Sequence, residues 1–568
     1  MSSIFGIGGN TAAAGAADFY DHQINDSVIL EGSTPNYWEK TFSSASDRRT
    51  WTFSCWIKRT IIDETNQTLI DAVGTGEDSL FFNTSNQLST YSNAGYGALT
   101  TSTEYRDVTG WMHVVWRYDT TQSTASDRER VYVNGVLQTT SSQTAPSLNA
   151  NSGEINNNVT HEMGRAEWKS RYPFHGYMAE IVFIDGSSLA PTSFGELKDD
   201  VWIPIDVSGL TFGSNGFHLN MADSSDFGND VSGNNNDWTD NGFTTSDQTN
   251  DTPTYTSSDG NGGNFSIINP LKKDTNLSAL DEGNLKFDCG TNQRGAICTF
   301  EIPLTGKWYY EAYVIAGSAM EVAVGINGID ADLTSSRGGK GDSNCYGIMW
   351  SQYIGSDYYA RKIIAGTEST GSGALGTTDN AILGVAVNRD DDEIKVYYDN
   401  TLLFTNAISS SVQYFPWIGV GGGSNASTFG VFNFGQDGTF AGNKTAGGNA
   451  DENGYGNFFY SPLSGHLALC AGNLSGDDPT DTTDAPITTS TTFTGNANSD
   501  GAIVFLGGVP TAGTINGNTI RFGTDADKLA NGLKLRTSSS SYNTSGSNTL
   551  EITSTGSIFR FANAQNNL

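Results

Sequence analysis

The side chains that could support hydrolytic chemistry are few and widely spaced in this chain. A zinc hydrolase needs ligands at fixed spacing, and none of the six histidines forms HExxH or another pair one helical turn apart. His113, flanked by apolar neighbours, is predicted to be a structural residue of a strand. A glycosidase needs two carboxylates beside the scissile bond, yet the best candidates, Glu311 and Glu321, lie in different predicted strands. With no GxSxG elbow and no phosphate-binding loop in the sequence, we predict that the protein is not an enzyme.

Cation binding is the second kind of chemistry that the residue pattern allows. Residues 223–237 combine aspartate, asparagine and serine oxygens in one loop, and oxygens are the ligands that Ca²⁺ prefers. The loop departs from an EF-hand because it has no glutamate at its twelfth position. A run of Asx turns would use the same residue types, so calcium binding and turn formation both stay open. The carboxylates that would hold the ion are Asp223, Asp226, Asp230 and Asp237.

Aromatic residues in polar segments are the main candidates for ligand contact. Sugar rings stack on the faces of Trp and Tyr, and the loops of a β scaffold are where binding residues gather. Packing within the loops is the alternative for every one of them. The candidates are Tyr91, Tyr96, Trp168, Tyr172, Tyr353, Tyr358 and Tyr359.

The elements that would position these residues are predicted to be short antiparallel strands. The chain has 568 residues, more than one hydrophobic core serves, which suggests about three or four domains of roughly 150 residues each. Hydrophobic residues make up 36% of the chain, but 11% aromatics and 67 glycines fit turn-connected strands with aromatic cores. Alternating apolar and polar positions, as in residues 52–57 and 112–118, support an all-β fold of tandem jelly-roll sandwiches.

Net charge limits the partners of this chain, and its cysteines and first residues indicate the compartment in which it is made. With 62 acidic and 30 basic residues, the net charge of −32 repels nucleic acid and anionic lipid. The five cysteines are scattered, without a CxxC spacing, so we predict free thiols in a protein made in a reducing cytoplasm. The first residues contain no basic region and no long apolar run, and we therefore expect neither a signal peptide nor membrane insertion.

Composition changes along the chain predict where the domains begin and end. The leader is too poor in apolar residues to fold alone, so we expect it to order on a partner through Ile4, Phe5 and Ile7. The predicted parts are a leader at 1–24, a sandwich at 25–243, a polar linker at 244–263, a second sandwich at 264–440, an extended connecting segment at 441–492 and a small β domain at 493–568.

The first sandwich resembles laminin-G-like domains of the concanavalin A type. The resemblance rests on residues 51–58, 111–118, 131–136 and 174–183, which look like successive strands of such a domain in the right order. The version found in bacteriophage virion proteins is the most similar, because of the segments within 216–239. Laminin-G-like domains often carry a calcium ion at the rim, so the resemblance adds weight to the calcium interpretation, although no cofactor is required.

The second sandwich resembles a SPRY domain. The opening Gly-Lys-Trp-Tyr-Tyr-Glu at 306–311, the strand at 383–387 and the ending Asn-Phe-Gly-Gln at 433–436 come in the SPRY order. Glu311 then occupies a framework position. Residues 455–470 look like the segment that follows the SPRY unit in phage structural proteins.

Together the resemblances imply a bacteriophage virion protein, and a tail fibre or surface appendage that attaches to a host-surface glycan or receptor is the leading hypothesis. A head fibre, decoration or structural tail component that binds other virion proteins is the alternative, and a glycan-degrading appendage is the remote one. The expected partners are other virion proteins, through the amino terminus, and the host surface. Phage fibres are usually homo-oligomers, often trimers, although the chain lacks the heptads or repeats that would encode one.

Overall fold

The structure is a computed structural model. The residues that it describes are 19–31, 36–62, 65–92, 97–166, 172–256, 260–277, 280–288, 294–315, 320–335, 337–354, 357–369, 380–422, 429–474, 515–516 and 519–520. The chain divides into two compact units, Met1–Pro479 and Thr480–Leu568. The leader residues Ile4, Phe5 and Ile7 lie outside the described residues.

The first sandwich packs two antiparallel sheets face to face. Its strands are β1 (Ser27–Leu30), β2 (Tyr37–Thr41), β3 (Thr50–Arg59), β4 (Gln67–Val73), β5 (Glu77–Phe82), β6 (Gln87–Ser92), β7 (Ala98–Glu104), β8 (Met112–Asp119), β9 (Glu129–Val133), β10 (Val136–Leu137), β11 (Thr140–Thr144), β12 (Thr160–Met163), β13 (Gly176–Asp185), β14 (Gly195–Lys198), β15 (Val201–Pro204), β16 (Phe217–Leu219), β17 (Thr239–Asn241) and β18 (Gln248–Thr249). Sheet A has the order β10-β9-β8-β3-β13-β1-β18, with β16 beside β13, and sheet B has the order β11-β7-β6-β5-β4-β12-β2-β17.

Aromatic residues fill the space between sheets A and B. Trp51 stacks on Tyr118 at 5.0 Å between ring centroids and meets Trp116 edge-on at 4.7 Å. The outer face of sheet A is covered as well, since Val115 and Ile184 pack against Phe212 from the segment after β13. Sheet A is therefore buried on both faces in this region.

The second sandwich is built in the same way. Its strands are β19 (Ile268–Lys273), β20 (Leu280–Asp281), β21 (Lys286–Asp288), β22 (Arg294–Cys298), β23 (Lys307–Ile315), β24 (Met320–Gly328), β25 (Tyr346–Ile354), β26 (Asp357–Ile364), β27 (Thr367–Glu368), β28 (Asn380–Asn388), β29 (Glu393–Tyr398), β30 (Thr401–Ala407), β31 (Tyr414–Gly422), β32 (Phe429–Asn433) and β33 (His466–Ala468). Sheet C has the order β19-β22-β31-β24-β25-β26-β27, and sheet D has the order β20-β21-β32-β23-β28-β29-β30 with β33 parallel to β23.

The predicted fold class, an all-β chain of tandem antiparallel sandwiches, is confirmed. Helices in the described part are three 3₁₀ turns, Ala125–Asp127, Pro191–Ser193 and Thr245–Asp247, and one short α-helix, α1 (Ala471–Leu474). None of the described helices has the length and apolar character to cross a bilayer. Of the predicted domain at 493–568, only the backbone of β34 (Ile515–Asn516) and β35 (Thr519–Ile520) is described, and these two strands pair with each other.

The segment 244–263 was predicted to be a polar linker. Its described residues are packed between the two sandwiches. Asp251, Thr252 and Thr254 are fully buried. Thr254 Oγ1 accepts a hydrogen bond from the backbone of Ile24 at 2.9 Å, while Thr249 Oγ1 donates to the carbonyl of Gln436 at 3.1 Å. Its polar side chains thus bond to both sandwiches instead of to water. Solvent-exposed linkers and buried polar segments have the same polar composition, so the sequence pattern could not distinguish one from the other.

The segment after β32 is also part of the second sandwich and not an extended connection. Between 441 and 474 it supplies Phe458, Leu467 and Cys470 to the core and β33 to sheet D. It covers the part of the outer face of sheet D around Tyr309 and Glu311 of β23. Residues 475–492 of the predicted connecting segment lie outside the described residues.

Candidate ligand-binding cleft

A cleft of about 170 Å³ lies on the outer face of sheet B. The alternation of β5 creates its floor, because Leu80 and Phe82 enter the core while Ser79 and Phe81 point to the other face. Ser79 is paired with Tyr91 on β6, so the two side chains lie next to each other. The lining residues are Asn66, Thr68, Glu77, Ser79, Phe81, Tyr91, Ala166 and Tyr172.

The rim of the cleft is formed where the chain returns from β12 towards β13. The backbone N–H of Thr68 in β4 donates to the carbonyl of Tyr172 at 3.0 Å, which attaches this return to the edge of the floor. Tyr172 has a positive φ of 25°, an uncommon conformation for a tyrosine. Phe174 is anchored in turn through its N–H to the carbonyl of Gly164 at 2.8 Å. These contacts hold the backbone at Tyr172 beside β4.

Two of the predicted ligand-contact tyrosines meet at this cleft. Tyr91 and Tyr172 are far apart in sequence but line the same depression, and Tyr91 remains 40% exposed. Tyr91 lies in strand β6 and not in a loop. Tyr96 and Trp168 lie outside the described residues.

The three tyrosines predicted in a polar loop of the second sandwich are instead strand residues. Tyr353 belongs to β25, and Tyr358 and Tyr359 begin β26. Tyr359 is paired with Ser351 of β25 and is partly buried.

The lining offers stacking surfaces and neutral hydrogen-bonding groups. Phe81 and the two tyrosine rings provide apolar faces, while Thr68 and Ser79 provide hydroxyls that both donate and accept hydrogen bonds. Among the lining residues that the structure describes, Glu77 is the one with a formal charge, and none is a lysine or an arginine. This combination is suited to an uncharged polyhydroxylated ligand and is unfavourable for an anionic one.

The aspartates predicted to hold calcium accept hydrogen bonds from backbone N–H groups of their own loop and of β16. Asp223 accepts from the N–H of Ser225 at 2.9 Å, and Asp226 accepts from Gly228 at 3.1 Å. Asp230 accepts from the backbone of His218, at 2.9 Å, and Asp237 accepts from the N–H of Asp230 at 3.0 Å.

Turn formation accounts for Asp223, Asp226 and Asp230, each of which accepts from the N–H two residues further on. Calcium binding by this loop stays a prediction. Across the described residues, no group of three His, Cys, Asp or Glu side chains is arranged to hold a metal ion. The reason is geometric: each carboxylate is directed at nearby backbone N–H groups instead of at a common centre.

Glu311 serves as a buried clamp and does not line the cleft. It lies on the face of β23 that meets the covering segment, where its carboxylate accepts the N–H groups of Phe459 and Tyr460, each at 2.8 Å. The hydroxyl of Tyr309 donates to it at 3.0 Å. Burial raises the pKa of Glu311 to about 7. Glu321, the other candidate acid, forms ion pairs with Arg337 and with Arg361, and the pKa of its carboxyl is lowered by those pairs despite partial burial.

His113 forms a buried hydrogen-bond chain that resembles part of a catalytic triad but has the wrong proton arrangement. The indole N–H of Trp202 donates to His113 Nδ1 at 3.0 Å, so the ring proton is on Nε2 and points at Ser54 Oγ, 2.7 Å away. An imidazole in this tautomer donates to the serine and cannot take its proton. Burial lowers the pKa of His113 to about 3, and the residue is structural.

Sequence reasoning missed the floor of the cleft. Thr68, Glu77, Ser79 and Phe81 attract no attention singly, because they belong to ordinary strand segments. The alternation of β5 could have identified two of them. Leu80 and Phe82 mark the core face of the strand, so a period of two places Ser79 and Phe81 on the outer face. Which outer face stays uncovered is not encoded in that period.

Comparison with family models connects the cleft-bearing sandwich with a known superfamily. Residues 35–190 match the Concanavalin A-like lectin/glucanases superfamily. The match covers most of the first sandwich and does not extend to the second. Because that superfamily includes both lectins and glucanases, the match is compatible with carbohydrate recognition without deciding between binding and cleavage. Among curated proteins, none matches this chain.

Solved structures with similar strand arrangements are distant. Domains LG4-5 of the mouse laminin alpha1 chain are 9% identical, with 74% of this chain and 91% of that chain covered and a TM-score of 0.25. The SPRY domain of human HERC1 is 11% identical, with 29% and 96% covered and a TM-score of 0.22. A heptameric SAP-like pentraxin from Limulus polyphemus is 13% identical, with 31% and 80% covered and a TM-score of 0.23. Similarity this low identifies no ligand or partner for this chain.

Proposed function

We propose that the protein is a non-enzymatic binding protein whose first sandwich holds an uncharged glycan in the cleft on sheet B. The observation that carries the proposal is the meeting of Tyr91 and Tyr172 at a solvent-accessible depression floored by hydroxyl side chains. Pyranose rings present apolar C–H faces and equatorial hydroxyls, and this lining offers a complement to both.

Binding at one such cleft is expected to be weak, because the depression is small and holds about 170 Å³. Stable attachment would then require many copies side by side, which raises the effective concentration at the surface without any new contact. The strong negative charge of the chain keeps neighbouring copies from associating non-specifically.

The biological setting that we propose is the surface of a bacteriophage particle, as a tail fibre or comparable appendage made in the host cytoplasm. This part rests on the resemblance of residues 216–239 and 455–470 to segments of phage virion proteins. Attachment to the particle would go through other virion proteins, with Ile4, Phe5 and Ile7 as contacts, and the exposed partner would be a host glycan or receptor. A head fibre or decoration protein is the alternative setting.

The cleft is tested by measuring glycan binding of Tyr91→Ala and Tyr172→Ala on a glycan array, followed by calorimetry with the best ligand. Each change should weaken binding by about fivefold to 150-fold, since a stacked ring contributes about 1–3 kcal/mol by analogy with base stacking. Leu402→Ala, at an exposed position of the second sandwich that is 49% accessible, is the matched control and should bind normally. Normal binding by both tyrosine variants would reject the cleft as the site.

The setting is tested separately by immunogold labelling of intact particles. Label on tail fibres supports the appendage, and label on the head supports the decoration alternative. Deleting residues 1–18 should give a soluble protein that particles do not incorporate, because the predicted anchor is removed. Normal incorporation of that truncated chain would contradict the anchor.

A further inference from the structure

One of the contacts between the two sandwiches is a turn that packs against sheet A. Residues 282–284 take three successive positive φ angles, 53° for Glu282, 62° for Gly283 and 65° for Asn284. The hydroxyl of Tyr177 donates to the carbonyl of Gly283 at 2.8 Å, and Asn284 Nδ2 donates to the carbonyl of Thr60 at 2.6 Å. A Cβ on Gly283 would lie 2.3 Å from the Tyr177 hydroxyl oxygen, so the approach requires glycine. We call residues 281–284 the docking turn.

The docking turn brings together two acidic residues from opposite sandwiches. The N–H of Glu282 donates to Glu31 Oε1 at 2.7 Å, just after the end of β1. This hydrogen bond fixes the backbone of Glu282 beside the Glu31 carboxylate. Both side chains are partly buried, and the Glu31 carboxylate raises the electrostatic cost of ionising Glu282, whereas hydrogen bonds from Glu282 favour the charged form of Glu31.

The surroundings of this pair are mainly acidic. Asp281 faces it from β20, and Asp247 faces it from the 3₁₀ turn between the sandwiches. Lys286 of β21 is the cation that favours the charged form of Glu282. Asp437 acts on Asp247 and, together with Glu282, on the buried Tyr177 hydroxyl. One lysine thus faces several carboxylates, and full ionisation of the pair is unfavourable.

We propose that Glu31 and Glu282 form a proton-dependent latch between the two sandwiches, closed while the pair retains a proton and loosened when both carboxylates are charged. The latch lies at the point where the docking turn meets sheet A, so repulsion within the pair acts directly on the contacts of Gly283 and Asn284. Elsewhere in the interface, the buried Lys58 ammonium pairs with Asp251 at 2.7 Å and donates to Asn264 Oδ1 at 2.6 Å and to the carbonyl of Phe265 at 3.0 Å, which connects β3 to the start of the second sandwich. Loosening is therefore confined to the docking turn.

The direction of the pH dependence follows from the cause of each shift. Burial, and next the Glu31 carboxylate, raise the pKa of Glu282 from 4.5 to about 8. Burial, and next Asp281, raise the pKa of Glu31 as well. Because the folded state binds a proton that the unfolded state has lost, the contribution of the latch is complete below the ordinary pKa of a glutamate. It falls as the pH rises through about 8 and is absent above that value.

Hydrogen–deuterium exchange of the full chain between pH 6 and 9, corrected for intrinsic exchange rates, tests the latch. Peptides that contain the docking turn should lose protection over this interval, by up to about tenfold per pH unit for one released proton. In Glu282→Gln, where the side chain stays neutral, the protection should no longer depend on pH. The exposed Glu104, whose side chain is 48% accessible, provides the control Glu104→Gln, which should behave as the wild type does.

Two outcomes would overturn the latch. One is an equal loss of protection in the wild type and in Glu282→Gln. The other is a wild-type docking turn whose corrected protection is constant from pH 6 to 9. If Glu282→Gln does not fold, Glu31→Gln replaces it, because its Oε1 can still accept the N–H of Glu282 while the charge is removed, and it is expected to flatten the profile in the same way.

Discussion

The two sandwiches expose their sheets differently, although both are built from antiparallel strands around an aromatic core. In the first, the outer face of sheet B keeps an open cleft with Tyr91 at its edge. In the second, the segment with Phe459 and Tyr460 lies over part of the outer face of sheet D, and Glu311 accepts their backbone N–H groups. A polar side chain on a sheet face is therefore a candidate ligand contact only where no other part of the chain satisfies it.

The largest effect is expected where the two sandwiches depend on one another. Lys58 and Asp251 are both fully buried, and Lys58→Met leaves the aspartate charge without its partner. The free energy of unfolding should fall by about 3–5 kcal/mol, measured by urea denaturation. Lys198→Met is the control, because its ion pair with Asp21 is exposed and should contribute less than about 1 kcal/mol. Equal effects of the two changes would mean that the sandwiches do not share a stabilising core contact.

The next effect tests the closed face of the second sandwich. Glu311→Ala leaves the N–H groups of Phe459 and Tyr460 without an acceptor and should cost about 2–4 kcal/mol of stability. Glu452→Ala is the control at an exposed turn carboxylate that caps Gly465, and it should leave the melting temperature nearly unchanged. Neither change should affect glycan binding. Loss of binding in Glu311→Ala with the fold intact would place a ligand on this face.

The Glu311 clamp also predicts a pH dependence. Since burial raises the pKa of Glu311 from 4.5 to about 7, its contribution to stability is complete below the ordinary pKa and is lost as the pH rises through about 7. Glu311→Gln mimics the protonated acid and should flatten the stability profile between pH 5 and 8 in thermal denaturation. Glycan cleavage by the wild type that this variant abolished would instead make Glu311 catalytic and reject the binding function.

The smallest effect concerns the open face itself. Tyr91→Ala should change the free energy of unfolding by less than about 0.5 kcal/mol, because the ring is exposed and the core residues of β6 are untouched. Tyr359→Ala, in a strand position that is partly buried, should cost more, about 1 kcal/mol. If the Tyr91 variant lost more stability than the Tyr359 variant, Tyr91 would be a framework residue, and the structural-component alternative would become the better proposal.

Pattern alone determined the fold class, because strand alternation is a local property. Trp51, Phe53 and Cys55 occupy every second position of β3 and all enter the core, as the period of two requires. The same locality explains why Glu311 could be assigned to a framework position from the motif around it. It also explains the Asx turns within residues 223–237, where Asp223, Asp226 and Asp230 accept from the N–H of the residue two positions further on.

Only the tertiary structure decided which faces are open and which segments are buried. Tyr91 and Tyr172 meet because the return from β12 bonds to β4, a contact between residues distant in sequence. The segment at 244–263 is polar in composition yet buried, since its hydrogen-bond partners come from both sandwiches. Glu31 and Glu282 carry no motif at all, and their interaction exists because the docking turn reaches the end of β1. Local patterns fix periodicity and turns, whereas burial and pairing depend on which distant surfaces come together, and that is determined by the packing of the whole unit.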